Sequence, residues 1–264
     1  MAQPVHPDSQ PCAAEALTTW GRACLRAVGV DEADARSVAE SLVQTSLWGI
    51  DSHGIARLPH YLNRIAHGSI QARPNIVVTP TGPCTAQVAG DAGLGIVVAW
   101  RANEAAMQMA RTSGIGAVGV SDSSHCGAVG LYSRAAARAG LIGMAFTHSD
   151  SIAAPFGGHR PFFGTNPISV AFPRGDRDSN GDPGGEPLCL DMATTSIPRN
   201  RVMNARREAL ALPPDVAIDA QGAATQDAPG AAALRPLGGA DCGHKGDGLA
   251  LVVELLCGPL NGNP

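Results

Sequence analysis

The middle of the chain alternates helical and strand patterns, and this alternation constrains the fold more than any other sequence feature. Residues 95–111 are rich in Ala and Met at helical spacing, and they run into an apolar strand pattern at 114–120. A second helical pattern covers about Ala128–Arg138, and a second strand pattern covers Leu141–Thr147. Helices and strands in alternation predict an α/β fold.

The letters of residues 114–119 match G-x-G-x-x-G, the fingerprint of dinucleotide-binding loops. That fingerprint binds a pyrophosphate only where its glycines follow a strand and open a helix. In this chain the glycines follow a helix and open a strand. The match therefore does not indicate a Rossmann phosphate loop.

Residues 1–70 are predicted to form an N-terminal helical region. Asp31–Trp48 has the apolar spacing of an amphipathic helix with an acidic first turn. Pro59 fits the first turn of a second helix, because proline lacks the N–H that such a position leaves unpaired. His53 therefore lies in the turn that leads into this second helix.

The remaining residues, 71–264, are predicted to form one mixed α/β domain. It begins with a strand between Gln71 and Pro83, and a later strand at Leu188–Asp191 ends in a carboxylate. Residues 174–187 and 209–235 are rich in turn-forming residues and are predicted to be loops.

A glycine-rich segment, residues 238–248, precedes an apolar helix that is predicted over Leu249–Leu256. The backbone N–H groups of such a turn, together with Lys245, can cradle an anion at the start of a helix. Lys245 is the only lysine among 19 basic residues, so it is a candidate for a site that needs an ammonium group. The same segment fits a flexible start of the helix equally well.

Charge and composition exclude several classes of partner. The net charge of −4 gives no basic field for nucleic acid or an anionic membrane, which favours a small-molecule partner. Seven scattered cysteines indicate neither a disulfide framework nor a structural zinc site, and they favour a reducing, cytoplasmic location. No signal-peptide pattern opens the chain and Glu254 interrupts its last apolar stretch, so neither export nor a membrane span is expected.

Five short motifs follow one another along the chain. They are Ser52-His53-Gly54 with Arg57 and Tyr61, Ser124-x-x-Gly127 around His125, Phe163-Gly164-Thr165-Asn166-Pro167, Leu190-Asp191-Met192-Ala193-Thr194, and Pro236-Leu237-Gly238-Gly239 with His244-Lys245-Gly246. In these motifs the chain resembles the malate/L-lactate dehydrogenase family, which also contains ureidoglycolate, sulfolactate and cyclic-imino-acid dehydrogenases or reductases. The resemblance implies a mixed-sheet, non-Rossmann α/β fold, an NAD(P)-dependent oxidoreductase and a homodimer.

Reduction of a 2-oxo acid needs a cation for the substrate carboxylate and a proton donor for the developing alkoxide. Arg57 suits the first task because its planar guanidinium can hold a carboxylate by two hydrogen bonds. His53 and His125 both suit the second, and the choice between them stays open. The resemblance places Ser52 and His53 in a relay with Asp191, and it places His125 where ureidoglycolate-type enzymes have their proton acceptor. The predicted catalytic residues are Ser52, His53, Arg57, His125 and Asp191, and the predicted substrate-binding residues are Arg57 and Tyr61.

The resemblance also implies a set of residues that line NAD or NADP. Pro167 is expected to hold the preceding residue extended, so that the side chains of Thr165 and Asn166 face the cofactor pocket. No metal is predicted in the site, and the sequence leaves NAD and NADP both open. The predicted cofactor-binding residues are Gly127, Ala128, Ser149, Thr165, Asn166, Met192, Ala193 and Lys245.

Two positions depart from the family's usual pattern. His148 stands where the family usually has Asn, and Asp247 lies between two glycines close to Lys245, where a carboxylate would compete with a cofactor phosphate. The relatives also continue past the position of Pro264 through a substantial C-terminal region, so part of the family's fold is expected to be missing.

Three other kinds of function compete with that of an active dehydrogenase. A catalytically inactive relative, kept as a binding or regulatory subunit, fits a shortened chain. A hydrolase fits poorly, because the chain has no G-x-S-x-G elbow and the adjacent Ser52 and His53 have a poor geometry for nucleophile and base. A metalloenzyme built on Cys242 and His244 lacks a second pair of ligands at metal spacing.

Overall fold

The structure is a computed structural model that describes residues 11–175 and 185–263. It contains two compact units, and the chain passes from the first to the second between Leu131 and Tyr132. The boundary predicted at residue 70 falls inside the first unit, and a division at that point stays a prediction.

The first unit is built on four helices: α1 (Ala14–Ala27), α2 (Glu32–Leu47), α3 (Leu58–Ala66) and α4 (Gly95–Ser113). The predicted helix at Asp31–Trp48 is confirmed as α2, and Pro59 lies in the first turn of α3 as expected. Helix α1 was not predicted. Apolar side chains from all four helices form one buried core that includes Leu25, Leu42, Leu58, Tyr61 and Ile96.

A three-stranded sheet completes the first unit: β1 (Val77–Gly82), β2 (Thr85–Gly93) and β3 (Ala117–Ser123). Strand β1 pairs antiparallel with β2, and β2 pairs parallel with β3, so the sheet is mixed. Helix α4 connects the two parallel strands and ends at Gly114, whose φ of 81° is the left-handed conformation that glycine adopts readily. The glycines of residues 114–119 thus end a helix and open a strand, which confirms that they are not a Rossmann loop.

The second unit contains a three-stranded antiparallel sheet in the order β4 (Gly143–Phe146), β5 (Ile168–Phe172) and β6 (Leu188–Met192). Helix α5 (Gly130–Arg138) packs on one face of this sheet through Ser133, whose hydroxyl lies 2.6 Å from that of Ser169. The other face is apolar. Its exposed members, between 44% and 74% accessible, are Met144, Phe172, Leu188 and Leu190.

The rest of the second unit comprises α6 (Arg199–Glu208), a small antiparallel pair of β7 (Ala217–Ile218) and β8 (Ala233–Leu234), and α7 (Gly239–Cys257). Strands β7 and β8 lie within residues 209–235, which the sequence predicted as loop. Most of the other predicted loop, residues 174–187, lies outside the described residues. No helix in the described ranges is both long and apolar enough to cross a membrane.

Helix α7 corrects the prediction for the glycine-rich segment. It begins at Gly239 rather than near Leu249, so residues 243–248 belong to the helix and form no turn at its start. The glycines are needed for packing: a Cβ on Gly243 would lie 2.8 Å from the ring of Phe156, and one on Gly246 would overlap the backbone of Leu237. Close approach, not flexibility, accounts for these glycines.

Candidate active site

Two short turns between α2 and α3 position the first group of predicted site residues. Residues 51–53 and 55–57 each form a single 3₁₀ turn, with Gly54 between them. A side chain at Gly54 would overlap the hydroxyl of Ser46, which accepts a 3.0 Å hydrogen bond from the amide of Ile55. The backbone is thereby tied to α2, and Ser52, His53 and Arg57 are presented by a fixed loop.

His125 lies in the loop that follows β3, and Ser124 fixes this loop to the start of α4. The Ser124 hydroxyl accepts a 2.9 Å hydrogen bond from the amide of Gly95 and donates one of 2.9 Å to the carbonyl of Gly93. The amide of Gly127, two residues after His125, donates a hydrogen bond of 3.2 Å to Nδ1 of His125. Glycine suits that position because its φ is 74°.

The first unit brings His53 and His125 together. Their rings stack with centroids 5.4 Å apart and planes 24° apart. Burial lowers the pKa of His53 from 6.5 to about 4, with a further contribution from the charge of Arg57. Burial also lowers the pKa of His125 to about 3, helped by His53, Arg57 and more distant positive groups. Both imidazoles are therefore neutral at pH 7.

Each histidine has a hydroxyl group on its Nδ1. The Ser52 hydroxyl lies 2.8 Å from Nδ1 of His53, and the Tyr61 hydroxyl lies 2.6 Å from Nδ1 of His125. Tyr61 is fully buried on α3, and burial raises the pKa of its phenol. The substrate-binding role predicted for Tyr61 stays a prediction, and the structure places its hydroxyl against His125.

Arg57 supplies positive charge beside the two neutral rings. Its Nε is buried and has no hydrogen-bond partner among the residues that the structure describes. A buried guanidinium nitrogen without a partner is unfavourable unless a ligand completes it. A carboxylate is the anion that best matches a guanidinium, because it can accept two parallel hydrogen bonds.

A second group of predicted residues lies in the second unit, around the end of β6. The hydroxyl of Ser149 accepts a hydrogen bond from the amide of Thr165 at 3.1 Å. The amide and hydroxyl of Thr194 donate to the carbonyl of Thr165 at 2.9 and 3.0 Å. These bonds bring Ser149 and Thr165 to the strand end that carries Met192 and Ala193.

The backbone of Asn166 is not extended as expected, and the contact of its side chain with a cofactor stays a prediction. Its φ is 35°, in the left-handed region that asparagine tolerates better than most residues, although Pro167 follows it. The side chain is fully buried, and its Nδ2 donates to the carbonyl of Ala250 at 3.0 Å and to Glu254 Oε2 at 2.7 Å. Pairing of Nδ2 with α7 outweighs the extended preference, whereas Oδ1 is buried and has no hydrogen-bond partner among the residues that the structure describes.

Glu254 connects this amide to one of the departures from the family's pattern. Its other carboxylate oxygen lies 3.2 Å from Nδ1 of His148, in the loop after β4. In the sequence Glu254 stands out only as an interruption of an apolar stretch. A carboxylate inside an apolar helix is itself a signal, because a partly buried charge needs partners of this kind.

Three further residues that the sequence singled out, Asp191, Lys245 and Asp247, also lie in the second unit. Asp191 lies opposite Ser169 in the β5–β6 ladder of the second unit, and its relay with the histidine of the first unit stays a prediction. Lys245 is exposed in the second turn of α7. Asp247 accepts a 3.1 Å hydrogen bond from the amide of Phe156. That bond commits one oxygen of the carboxylate expected to compete with a cofactor phosphate.

The alternative of a metalloenzyme concerns clusters of metal-ligating side chains. The described residues contain no group of three or more His, Cys, Asp or Glu side chains that could hold a metal ion.

Ala128 is buried directly after Gly127, so its backbone is the part that can face a ligand. The cofactor contacts implied for both residues stay predictions.

Comparison with known proteins gives consistent matches. The family model for malate/L-lactate dehydrogenase matches residues 12–264. Ureidoglycolate dehydrogenase (NAD(+)) of Escherichia coli O157:H7 is 38% identical over 236 residues, 89% of this chain and 64% of that protein. (2R)-3-Sulfolactate dehydrogenase (NADP(+)) of Chromohalobacter salexigens is 37% identical over 247 residues, 93% of this chain and 70% of that protein.

Among solved structures, the malate dehydrogenase from Entamoeba histolytica superposes with a TM-score of 0.89 at 30% sequence identity. The match covers 97% of this chain and 72% of that one. Against the first curated relatives, the chain spans 64–65% of their length. The mixed α/β, non-Rossmann fold predicted from the sequence is confirmed.

Proposed function

The chain belongs to the malate/L-lactate dehydrogenase family, and from this premise we propose that it transfers a hydride between NAD(P)H and a small 2-oxo acid. The reverse reaction oxidises the corresponding 2-hydroxy acid. The proposal extends to this chain an activity carried in the names of longer relatives. One observation carries it: two neutral, stacked histidines lie beside an arginine whose buried Nε has no partner among the described residues.

The first unit supplies the groups that a 2-oxo acid needs. Arg57 holds the substrate carboxylate, which completes the buried Nε. His53 and His125 are neutral and their rings stack, and an N–H of this pair donates to the carbonyl oxygen of the substrate. Burial matters here, because hydrogen bonds to a developing alkoxide are stronger where water is excluded.

The residues that contact the cofactor are proposed separately for each of the two units. When bound, NAD(P)H supplies the hydride. Gly127 and Ala128 are proposed from the first unit, and Ser149, Thr165, Asn166, Met192, Ala193 and Lys245 from the second. The side chains of Ser149, Thr165 and Lys245 are exposed or partly exposed, which fits such a role. The buried Oδ1 of Asn166 has no hydrogen-bond partner among the described residues and fits it as an acceptor.

We further propose a homodimer in the cytoplasm. The homodimer rests on the family resemblance, and the exposed apolar face of the β4–β5–β6 sheet is compatible with a surface that a second copy would bury. The seven cysteines are free thiols, which supports a reducing compartment. Light scattering coupled to size-exclusion chromatography tests the dimer, and a monomer at micromolar concentration would count against it.

The deciding experiment measures loss of reduced-nicotinamide absorbance by the purified protein with NADH or NADPH. The substrates are 2-oxo acids with and without a second carboxylate, and cyclic imines that carry a carboxylate. Turnover with a 2-oxo acid, abolished in His53→Ala, is the expected result. His67→Ala is the matched control, because His67 is an exposed histidine bonded to the backbone of Asn63. Saturable cofactor binding without turnover of any substrate would favour the inactive relative instead.

A further inference from the structure

The two histidines differ in what their Nδ1 atoms can accept or donate. Nδ1 of His125 receives the amide of Gly127 at 3.2 Å. A backbone amide can only donate, so Nδ1 must be an acceptor and carry no hydrogen. In a neutral imidazole the single proton then lies on Nε2.

Tyr61 contacts the same nitrogen. Its hydroxyl is 2.6 Å from the same Nδ1, and since that nitrogen carries no hydrogen, the phenol must donate. Burial raises the pKa of Tyr61, so the phenol keeps its proton at neutral pH. Tyr61 is 0% exposed in the core beneath α3, which fixes the donor in place.

We propose, resting on the proposed function, that Tyr61 is a positioning residue: with the Gly127 amide it locks His125 in the Nε2–H tautomer. His125 is then a hydrogen-bond donor toward the carbonyl oxygen of the substrate. A locked tautomer cannot act as the base at Nε2, because that nitrogen already carries the proton.

His53 has a serine hydroxyl at its Nδ1, a partner that by itself does not fix the tautomer. Its Nδ1 faces the Ser52 hydroxyl at 2.8 Å, and a hydroxyl can donate or accept as it rotates. In the reduction, His53 gives its Nε2 proton to the alkoxide while Nδ1 takes the proton of the Ser52 hydroxyl, which a proton from solvent replaces. In the oxidation the same protons move in the opposite direction. Proton transfer falls to His53, whereas His125 orients and polarises the carbonyl.

The charges around His125 support a neutral ring. Burial is the main cause of the lowered pKa of His125. A positive charge on His53 or Arg57 in the turns before α3, or on His60 or Arg64 on α3, also opposes a second proton on its ring. The ring is therefore a neutral donor and not an imidazolium.

The test is long-range ¹H–¹⁵N NMR of ¹⁵N-histidine-labelled protein, with the His125 signals assigned by their loss in His125→Gln. The expected wild-type spectrum has a pyridine-like Nδ1 and a pyrrole-like Nε2 for His125. In Tyr61→Phe only the weaker Gly127 bond remains, so the Nδ1 shift should move and an Nδ1–H population should appear. Tyr132→Phe, at the other tyrosine and also buried, should leave the His125 signals unchanged.

A second measurement keeps the test independent of whether Tyr61→Phe folds. Incorporation of 3-fluorotyrosine makes the phenol a stronger donor and should shift His125 Nδ1 without removing any contact. A proton on Nδ1 in the wild type, or identical His125 signals in wild type, Tyr61→Phe and fluorotyrosine protein, would overturn the proposal. These spectra are recorded without turnover, so they test the tautomer of His125 even if the kinetic assay finds no activity with any substrate.

Kinetics then separates positioning from substrate binding. A positioning role predicts that Tyr61→Phe lowers kcat about tenfold and leaves KM for the 2-oxo acid nearly unchanged. A raised KM with an unchanged kcat would instead make Tyr61 a substrate ligand and contradict the positioning role.

Discussion

The rings of His53 and His125 stack with their centroids 5.4 Å apart, one from the turns before α3 and the other from the loop after β3. Each ring has a neutral hydroxyl group at its Nδ1, that of Ser52 for His53 and that of Tyr61 for His125. Neutral hydroxyl partners do not stabilise an imidazolium as a carboxylate would, which agrees with the lowered pKa of both histidines.

Removal of either histidine should reduce turnover. We expect His53→Ala or His125→Ala to lower kcat at least about a hundredfold, the lower end of what a positioned acid or base contributes. Cofactor affinity, measured by titration of NADH fluorescence, should stay close to wild type. Near wild-type kcat in both variants would remove the histidine pair from the reaction.

Replacement of Arg57 should affect the substrate more than the cofactor. Arg57→Lys keeps the charge but loses the two-point hold on a carboxylate, so we expect KM for the 2-oxo acid to rise about tenfold. KM for the cofactor should change far less. Arg64→Lys is the matched control, since Arg64 lies on the exposed side of α3 and bonds to Ser69. Equal effects on both constants would place Arg57 outside the substrate site.

The buried histidines should make stability depend on pH. In the unfolded chain each histidine binds a proton near its usual pKa of 6.5, whereas in the folded chain the values are about 4 for His53 and about 3 for His125. Between pH 6.5 and 4 the unfolded state binds more protons, so the free energy of unfolding falls as pH falls. Above pH 6.5 this loss is absent.

Each ring can contribute up to about 1.4 kcal/mol per pH unit in that window. Urea unfolding at pH 7, 6 and 5 measures the slope for wild type and for the double variant His53→Gln, His125→Gln. The double variant should show a flatter slope, and His67→Gln should match the wild type. An unchanged slope in the double variant would mean that these rings are protonated in the native state.

The amide of Asn166 should stabilise the second unit. Asn166→Ala removes the donor to Ala250 and Glu254 and leaves a partly buried carboxylate oxygen without this partner. We expect a loss of about 1–3 kcal/mol in the free energy of unfolding, measured with urea. Asn63→Ala, at an exposed position on α3, should change it by less than about 0.5 kcal/mol. Equal small effects would argue against the buried network.

Two glycines of α7 should respond in opposite directions. A Cβ on Gly246 would overlap the backbone of Leu237, so Gly246→Ala should destabilise the protein. Gly248 has nothing within 4 Å of such a Cβ, so Gly248→Ala should gain up to about 1 kcal/mol from helix propensity. Thermal unfolding of the two variants checks both signs, and a gain at both positions would contradict the close approach at Gly246.

The sequence by itself determined the elements whose signal is local. Helix α2 follows from its apolar spacing and acidic first turn, and the end of α4 at Gly114 follows from a glycine placed after a helical pattern. The five ordered motifs carried the family resemblance, because short chemical patterns survive in sequence without knowledge of their contacts. Periodicity, caps and motifs all act over a few residues, which is why they can be read directly.

Only the tertiary structure decided what depends on distant partners. Strand β5 is stabilised by pairing with β4 on one side and β6 on the other. Positions 243 and 246 of α7 need glycine because Phe156 and Leu237 approach too closely for larger residues. The direction of the Asn166 side chain was likewise set by Ala250 and Glu254 rather than by Pro167. In each case the deciding energy comes from hydrogen bonds and steric fit between segments far apart in the chain, and local preference is too weak to resist them.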